Sequence, residues 1–146
     1  MSKSQTGSQH SAENDASVLA GWKVVVADDE VDQRTFLATV LEDHGATVFR
    51  AANGDEALEL VRSQKPHLLT LDLSMPGRNV GEVFETLRQE PELGDLKICI
   101  ITGRPELRGL IYQSSFRRPE GYLSKPVSEE SLLLAVRKCL ELPRRS

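Results

Sequence analysis

A doubly wound α/β domain, one five-stranded parallel sheet with helices on both faces, is what this sequence predicts. Three observations carry the prediction. Short β-branched or apolar runs alternate about five times with segments of helical period. The third run, "LLTLD" at 68–72, is apolar without alternation, as a strand buried on both faces must be. The 146 residues show no internal repeat and no break into a second domain, so right-handed crossovers wind all the strands into one sheet.

Each element has its own warrant. Residues 1–20 are rich in Ser, Gln and Asn, hold almost nothing able to pack, and read as a flexible tail. The domain is expected over 21–143, with 144–146 a short C-terminal tail. "WKVVVA" (22–27) is a β-branched first strand. "VDQRTFLATVLEDHGA" (31–46) places Phe36, Leu37, Val40 and Leu41 at helical spacing, and Gly45 stands where a helix-ending glycine belongs. "TVFRA" (47–51) is the second strand, and "GDEALELVRSQK" (54–65) a helix that Pro66 ends.

After the third strand, a helix is expected near 80–90, with Val83, Phe84 and Leu87 inward. "KICIIT" (97–102) is the fourth strand and "GYLS" (121–124) the fifth. "SEESLLLAVRKCLEL" (128–142) is a last helix opening on a capping box from Ser128 to Ser131. Between 103 and 120 the apolar positions do not phase cleanly, and a helix is placed at 105–115.

Composition narrows the function classes. Hydrophobic residues are 39% and charged residues 27%, the balance of a globular domain, and the net charge of −4 argues against direct nucleic-acid binding. No apolar run is long enough to span a membrane, and the N-terminus lacks the apolar segment of a secretory signal, so a cytoplasmic protein is expected. Cys99 and Cys139 sit among aliphatic residues and read as small buried hydrophobes. His10, His44 and His67 are scattered and receive no role. Arg104, Arg108, Arg117 and Arg118 read as a solvated face, with docking of an acidic partner as the alternative.

The informative residues are the polar ones at strand ends, because open parallel sheets bind ligands beyond the carboxyl ends of their strands. Asp28 and Asp29 follow the first strand, Asp72 the third, Thr102 the fourth and Lys125 the fifth. Three carboxylates in one pocket repel unless a cation intervenes, and an all-oxygen donor set suits Mg²⁺. A metal on one side of Asp72 leaves its other oxygen free to attack phosphorus. Thr102 could then donate a hydrogen bond to the transferred group and Lys125 could offset its charge.

Over residues 22–142 the sequence resembles the receiver domain of bacterial two-component response regulators. "VVVADDE" is similar to the family's acid pair, "LLTLDLSMP" to its phosphoacceptor strand, "IIT" to its switch-threonine strand and "GYLSKP" to its lysine–proline motif. The resemblance implies a flavodoxin-like sheet of order 2-1-3-4-5. It also implies Asp72 as acceptor of a phosphoryl group from a histidine kinase or phosphotransfer protein. Mg²⁺ would be held by Asp28, Asp29, Asp72 and the backbone carbonyl of Ser74, with Thr102 and Lys125 on the phosphoryl oxygens. Tyr122 would turn with Thr102, changing the face of the fourth helix, fifth strand and fifth helix for a downstream protein partner.

Self-association as a homodimer stays open. The chain stops soon after the last helix, so no output domain is expected. Against the family pattern, Val80 stands where a glycine is usual and Gly103 where alanine is common. Two other readings remain: a phosphatase with a strand-end aspartate nucleophile, whose general acid would fall at Ser74, and an unphosphorylated interaction module.

Overall fold

The computed structural model describes residues 17–143 apart from Arg78, Gln113 and Ser114. Strands β1 (Lys23–Ala27), β2 (Thr47–Ala51), β3 (Leu68–Leu71), β4 (Lys97–Thr102) and β5 (Gly121–Ser124) form one parallel sheet in the order β2-β1-β3-β4-β5. The helices are α1 (Val31–Asp43), α2 (Gly54–Gln64), α3 (Val80–Gln89), α4 (Gly109–Tyr112) and α5 (Glu129–Cys139), with 3-10 turns at Pro91–Leu93 and Pro105–Arg108.

The sheet divides the apolar core in two. On one face, Val25, Leu69, Leu71, Ile98 and Ile100 meet α2 and α3 through Leu58, Val61, Val83, Phe84 and Leu87, and α4 through Ile111. On the other, Val24, Val26, Leu68, Cys99 and Ile101 meet Leu37 and Leu41 of α1 and Leu132 and Val136 of α5. All four residues of β3 are buried, as the unbroken apolar run requires of a central strand flanked by β1 and β4. Helices therefore cover both faces.

Local chemistry sets the element ends. The Asn53 side chain accepts from the Glu56 N–H, and the Asn79 side chain from the Gly81 and Glu82 N–H groups, capping α2 and α3. Ser128 and Ser131 form the expected reciprocal capping box. Gly45 has φ +102, and a Cβ there would lie 3.0 Å from the Ala20 backbone nitrogen, so α1 ends on a residue that must be glycine.

The structure corrects three expectations. Leu19 is fully buried, its N–H bonded to the His44 carbonyl at 2.8 Å, so the packed chain begins before residue 21. Serine-rich surroundings hid a short apolar anchor there. Residues 1–16 and 144–146 of the two expected tails, and His10, lie outside the described residues. On α1, Ala38 completes the buried stripe with Leu37, Val40 and Leu41, and Phe36 is turned to the rim at 37% exposure. The helix expected at 105–115 is divided: Pro105 starts a 3-10 turn, Gly109 follows it, and α4 occupies Gly109–Tyr112. Its expected last turn includes residues 113 and 114, outside the described residues.

Both cysteines are buried and free of disulfide, and they flank Gly121. A Cβ on Gly121 would lie 2.6 Å from Cys139 Sγ and 3.1 Å from Cys99 Sγ. Gly121→Ala should therefore destabilise the fold by about 1–3 kcal/mol, read as a lowered midpoint in denaturant unfolding. His44 and His67 are satisfied locally: His44 Nδ1 lies 2.9 Å from the Val40 carbonyl, and His67 Nδ1 accepts from the Lys23 N–H. Among the described residues no helix is long and apolar enough to cross a membrane.

Candidate phosphoacceptor site

The register of the sheet builds the site. Ala27 of β1 pairs with Leu71 of β3, so Asp28 and Asp72, the next residue of each strand, emerge level at the carboxyl edge. The Asp72 N–H donates to the Ala27 carbonyl and the Asp28 N–H to that of Ala51, which fixes both backbones. Asp28 and Asp72 are each 1% exposed and Thr102 is fully buried, while Asp29 faces solvent. Carboxylate oxygens of Asp28, Asp29 and Asp72 all lie within 4.8 Å of one another.

Lys125 closes the group from β5. Its Nζ lies 2.9 Å from Asp28 Oδ2 and donates to Asp72 Oδ2 at 3.2 Å. Its backbone N–H donates to the Thr102 carbonyl, which ties the lysine to the end of β4. Burial alone would lower the Lys125 pKa, but the two carboxylates outweigh it and hold the ammonium above its ordinary value. Burial pushes the Asp28 carboxyl up, against the Glu30 N–H and the Lys125 charge that favour its ionised form. Asp28 Oδ2 pairs with the Lys125 ammonium and has no other partner among the described residues. An ionised, buried oxygen of that kind is stabilised by a further cation.

Asp72 is held at both oxygens. The Ser74 N–H donates to Oδ1 at 3.1 Å, and the Ser74 hydroxyl lies 3.0 Å from Oδ1 and 3.1 Å from Oδ2. Thr102 Oγ1 accepts from the Arg104 N–H at 3.1 Å, leaving its own proton to donate elsewhere. The structure thus gathers Asp28, Asp29, Asp72, Ser74 and Lys125 at one point of the rim, with Thr102 at the adjoining strand end. Tyr122 lies apart from them, its half-buried ring against the core on the α2–α3–α4 face.

Two contributors were not foreseen. Arg34 Nη1 donates to the Asp28 carbonyl at 2.7 Å, pinning the acid-bearing loop from inside α1. The Ser74 side chain, expected to help hold a metal through its carbonyl, bonds the Asp72 carboxylate itself. Arg34 had a faint signal in its place one turn into the helix that follows the acids; the Ser74 rotamer had none.

Residues 24–137 match the family model described as the response regulator receiver domain. The chain belongs to this family. Protein PilH of Pseudomonas aeruginosa is 29% identical to this receiver domain over 118 residues, spanning 81% of this chain and 97% of PilH. Sporulation initiation phosphotransferase F of Bacillus subtilis is 30% identical over 120 residues, spanning 82% of this chain and 94% of that one. The chemotaxis response regulator CheY4 of Vibrio cholerae superimposes with a TM-score of 0.73 at 26% identity, covering 82% of this chain and 98% of its own. Receiver domains are phosphoacceptor signalling switches of two-component systems rather than conventional enzymes, and this chain is one.

Proposed function

We propose that Asp72 is the phosphoryl acceptor of this receiver domain, taking the group from a phosphohistidine on a kinase or phosphotransfer protein. The observation that supports this is the meeting of three carboxylates and one ammonium at a single point of the sheet edge. Asp28, Asp29, Asp72 and the Ser74 carbonyl are the residues that would hold Mg²⁺. Their all-oxygen donors fit that ion, and Asp28 Oδ2, whose partner among the described residues is the Lys125 ammonium, can take a second cation. Bound there, the cation would neutralise charge on the acids and on the transferring phosphoryl group.

The chain's own side chains do the remainder. An Asp72 oxygen attacks phosphorus while the phosphorus–nitrogen bond to the donor imidazole breaks. Lys125, already 3.2 Å from the acceptor, follows the new negative charge. The Thr102 hydroxyl donates to a phosphoryl oxygen, and its movement is passed to Tyr122 and the face formed by α4, β5 and α5, where a downstream protein binds. Swinging such a face from about 1% to 99% populated takes about 5.5 kcal/mol. A few charge-assisted hydrogen bonds at about 1.5–3 kcal/mol each suffice.

A phosphatase acting on external substrates would need a general acid two residues after the nucleophile. Ser74 stands there, its hydroxyl committed to Asp72.

Incubation with acetyl phosphate and Mg²⁺, followed by intact mass spectrometry, tests the assignment. One phosphoryl per chain is expected, mapped to Asp72, and removal of the metal with EDTA should reduce uptake at least about 100-fold. Phosphoryl uptake that ignores EDTA, or that maps elsewhere, would sink it.

A further inference from the structure

The arginines of 104–118 fall into different employments. Arg104 pairs with the exposed Glu106, and Arg117 with Glu120 and the carbonyls of Gly94 and Leu96. Arg108 and Arg118 lie instead against aromatic rings. Arg118 is 4.9 Å from the centre of Tyr112, and Arg108 is 5.3 Å from Tyr112 and 4.2 Å from Tyr122.

Tyr122 is in register with Ile100 of β4, and its ring packs on the same apolar cluster as Ile100 and Leu107. Its hydroxyl is buried with no hydrogen-bond partner among the described residues. A phenol in that position favours rotation outward, where water satisfies the oxygen. The guanidinium over the ring face opposes the rotation, since a cation is attracted to the negative face of an aromatic ring. Arg108 has no carboxylate within ion-pair range among the described residues, so its charge is directed at the two rings.

We infer that Arg108 is the positioning residue of the switch tyrosine, its guanidinium over the ring holding Tyr122 inward against the cost of a buried, unbonded hydroxyl. This rests on the reading of Tyr122 as the aromatic that moves with Thr102. The contacts described for the ring come from Arg108 and the core, not from Asp72 or Lys125. Arg108 therefore sets the balance from which phosphorylation starts. In this chain phosphorylation adjusts a ring position that a surface arginine already favours.

The test labels the protein with 3-fluorotyrosine and follows fluorine resonances, with Tyr112→Phe assigning the two signals. Arg108→Gln, which keeps length and removes charge, should change the inward-to-outward ratio of Tyr122 by roughly 5- to 30-fold, the weight of a partly desolvated cation–ring contact. Broadening by a soluble gadolinium chelate should rise accordingly. Arg108→Lys should restore most of the wild-type signal, because the charge is back over the ring. Beryllofluoride with Mg²⁺ should then move the Tyr122 resonance further in Arg108→Gln than in wild type.

An Arg108→Gln spectrum that coincides with wild type, with and without beryllofluoride, overturns the inference. The mass measurement on acetyl phosphate separates this from the parent reading. Uptake at Asp72 with an unchanged Arg108→Gln spectrum removes the positioning role alone, whereas absence of uptake removes the site assignment.

Discussion

Asp72→Asn is expected to take up no phosphoryl group at the native site, a loss of at least about 1,000-fold in the acetyl phosphate reaction. The amide keeps the shape of the carboxylate, and its single oxygen can still accept from the Ser74 N–H while its NH₂ takes the place of the oxygen facing Lys125, so the loss is chemical rather than one of shape. The same change should leave the thermal midpoint unaltered or raised. Three acids with oxygens within 4.8 Å of one another repel, and removing one charge at 1% exposure relieves that while Lys125 keeps Asp28 at 2.9 Å. A variant that is inactive because it has unfolded would instead show a lowered midpoint. Intact mass and calorimetry on one preparation distinguish the two.

Glu120→Gln should carry a large stability loss for an exchange outside the site, about 3 kcal/mol, or roughly 10 °C in midpoint. The Arg88 side chain is 4% exposed and donates to the carbonyls of Leu96, Arg117 and Arg118 as well as to the Glu120 carboxylate at 3.0 Å. Glu120 also accepts from the Ile98 N–H at 2.8 Å and from Arg117 at 3.0 Å. Glutamine keeps one acceptor but turns an amine toward cationic donors and leaves a buried guanidinium without its counter-charge.

The pH dependence has a fixed sign. Burial alone would raise the Glu120 pKa, but the Ile98 N–H and the Arg88 and Arg117 charges hold it below its ordinary value of 4.5. A carboxyl depressed in the folded state adds stability above the unfolded pKa and loses it as pH falls through the folded one. The gap between wild type and Glu120→Gln should thus be full at neutral pH and narrow below about pH 4.5. A gap constant from pH 7 to 3 would show that the carboxylate's charge contributes nothing.

The strands were legible because a parallel sheet writes itself into sequence as unbroken apolar runs. β2, β4 and β5 fall where those runs predict, and β1 and β3 differ by one residue. The acids and the lysine were legible because strand ends of such a sheet share one edge, so their meeting followed from topology. What stayed hidden depends on side-chain reach. Arg88 and Arg117 look like surface cations in one dimension. Their long stems carry the guanidinium back under a loop to satisfy carbonyls at 94, 96, 117 and 118. The four arginines expected on a solvated face are all exposed, and within that face Arg117 also ties carbonyls while Arg108 and Arg118 also lie against rings. Residues 105–120 did not phase because Pro105 and Gly109 break the helical period there.

The in-register ends of β1 and β3 have a mechanical corollary. Neighbouring strands are held about 4.8 Å apart by their backbone ladder, so the main chain gauges the separation of the backbones from which Asp28 and Asp72 extend, and mutual repulsion can act only on their side chains. Loops above the rim are free to diverge in length and lining. The backbone spacing beneath Asp28 and Asp72 stays the same whatever those loops carry.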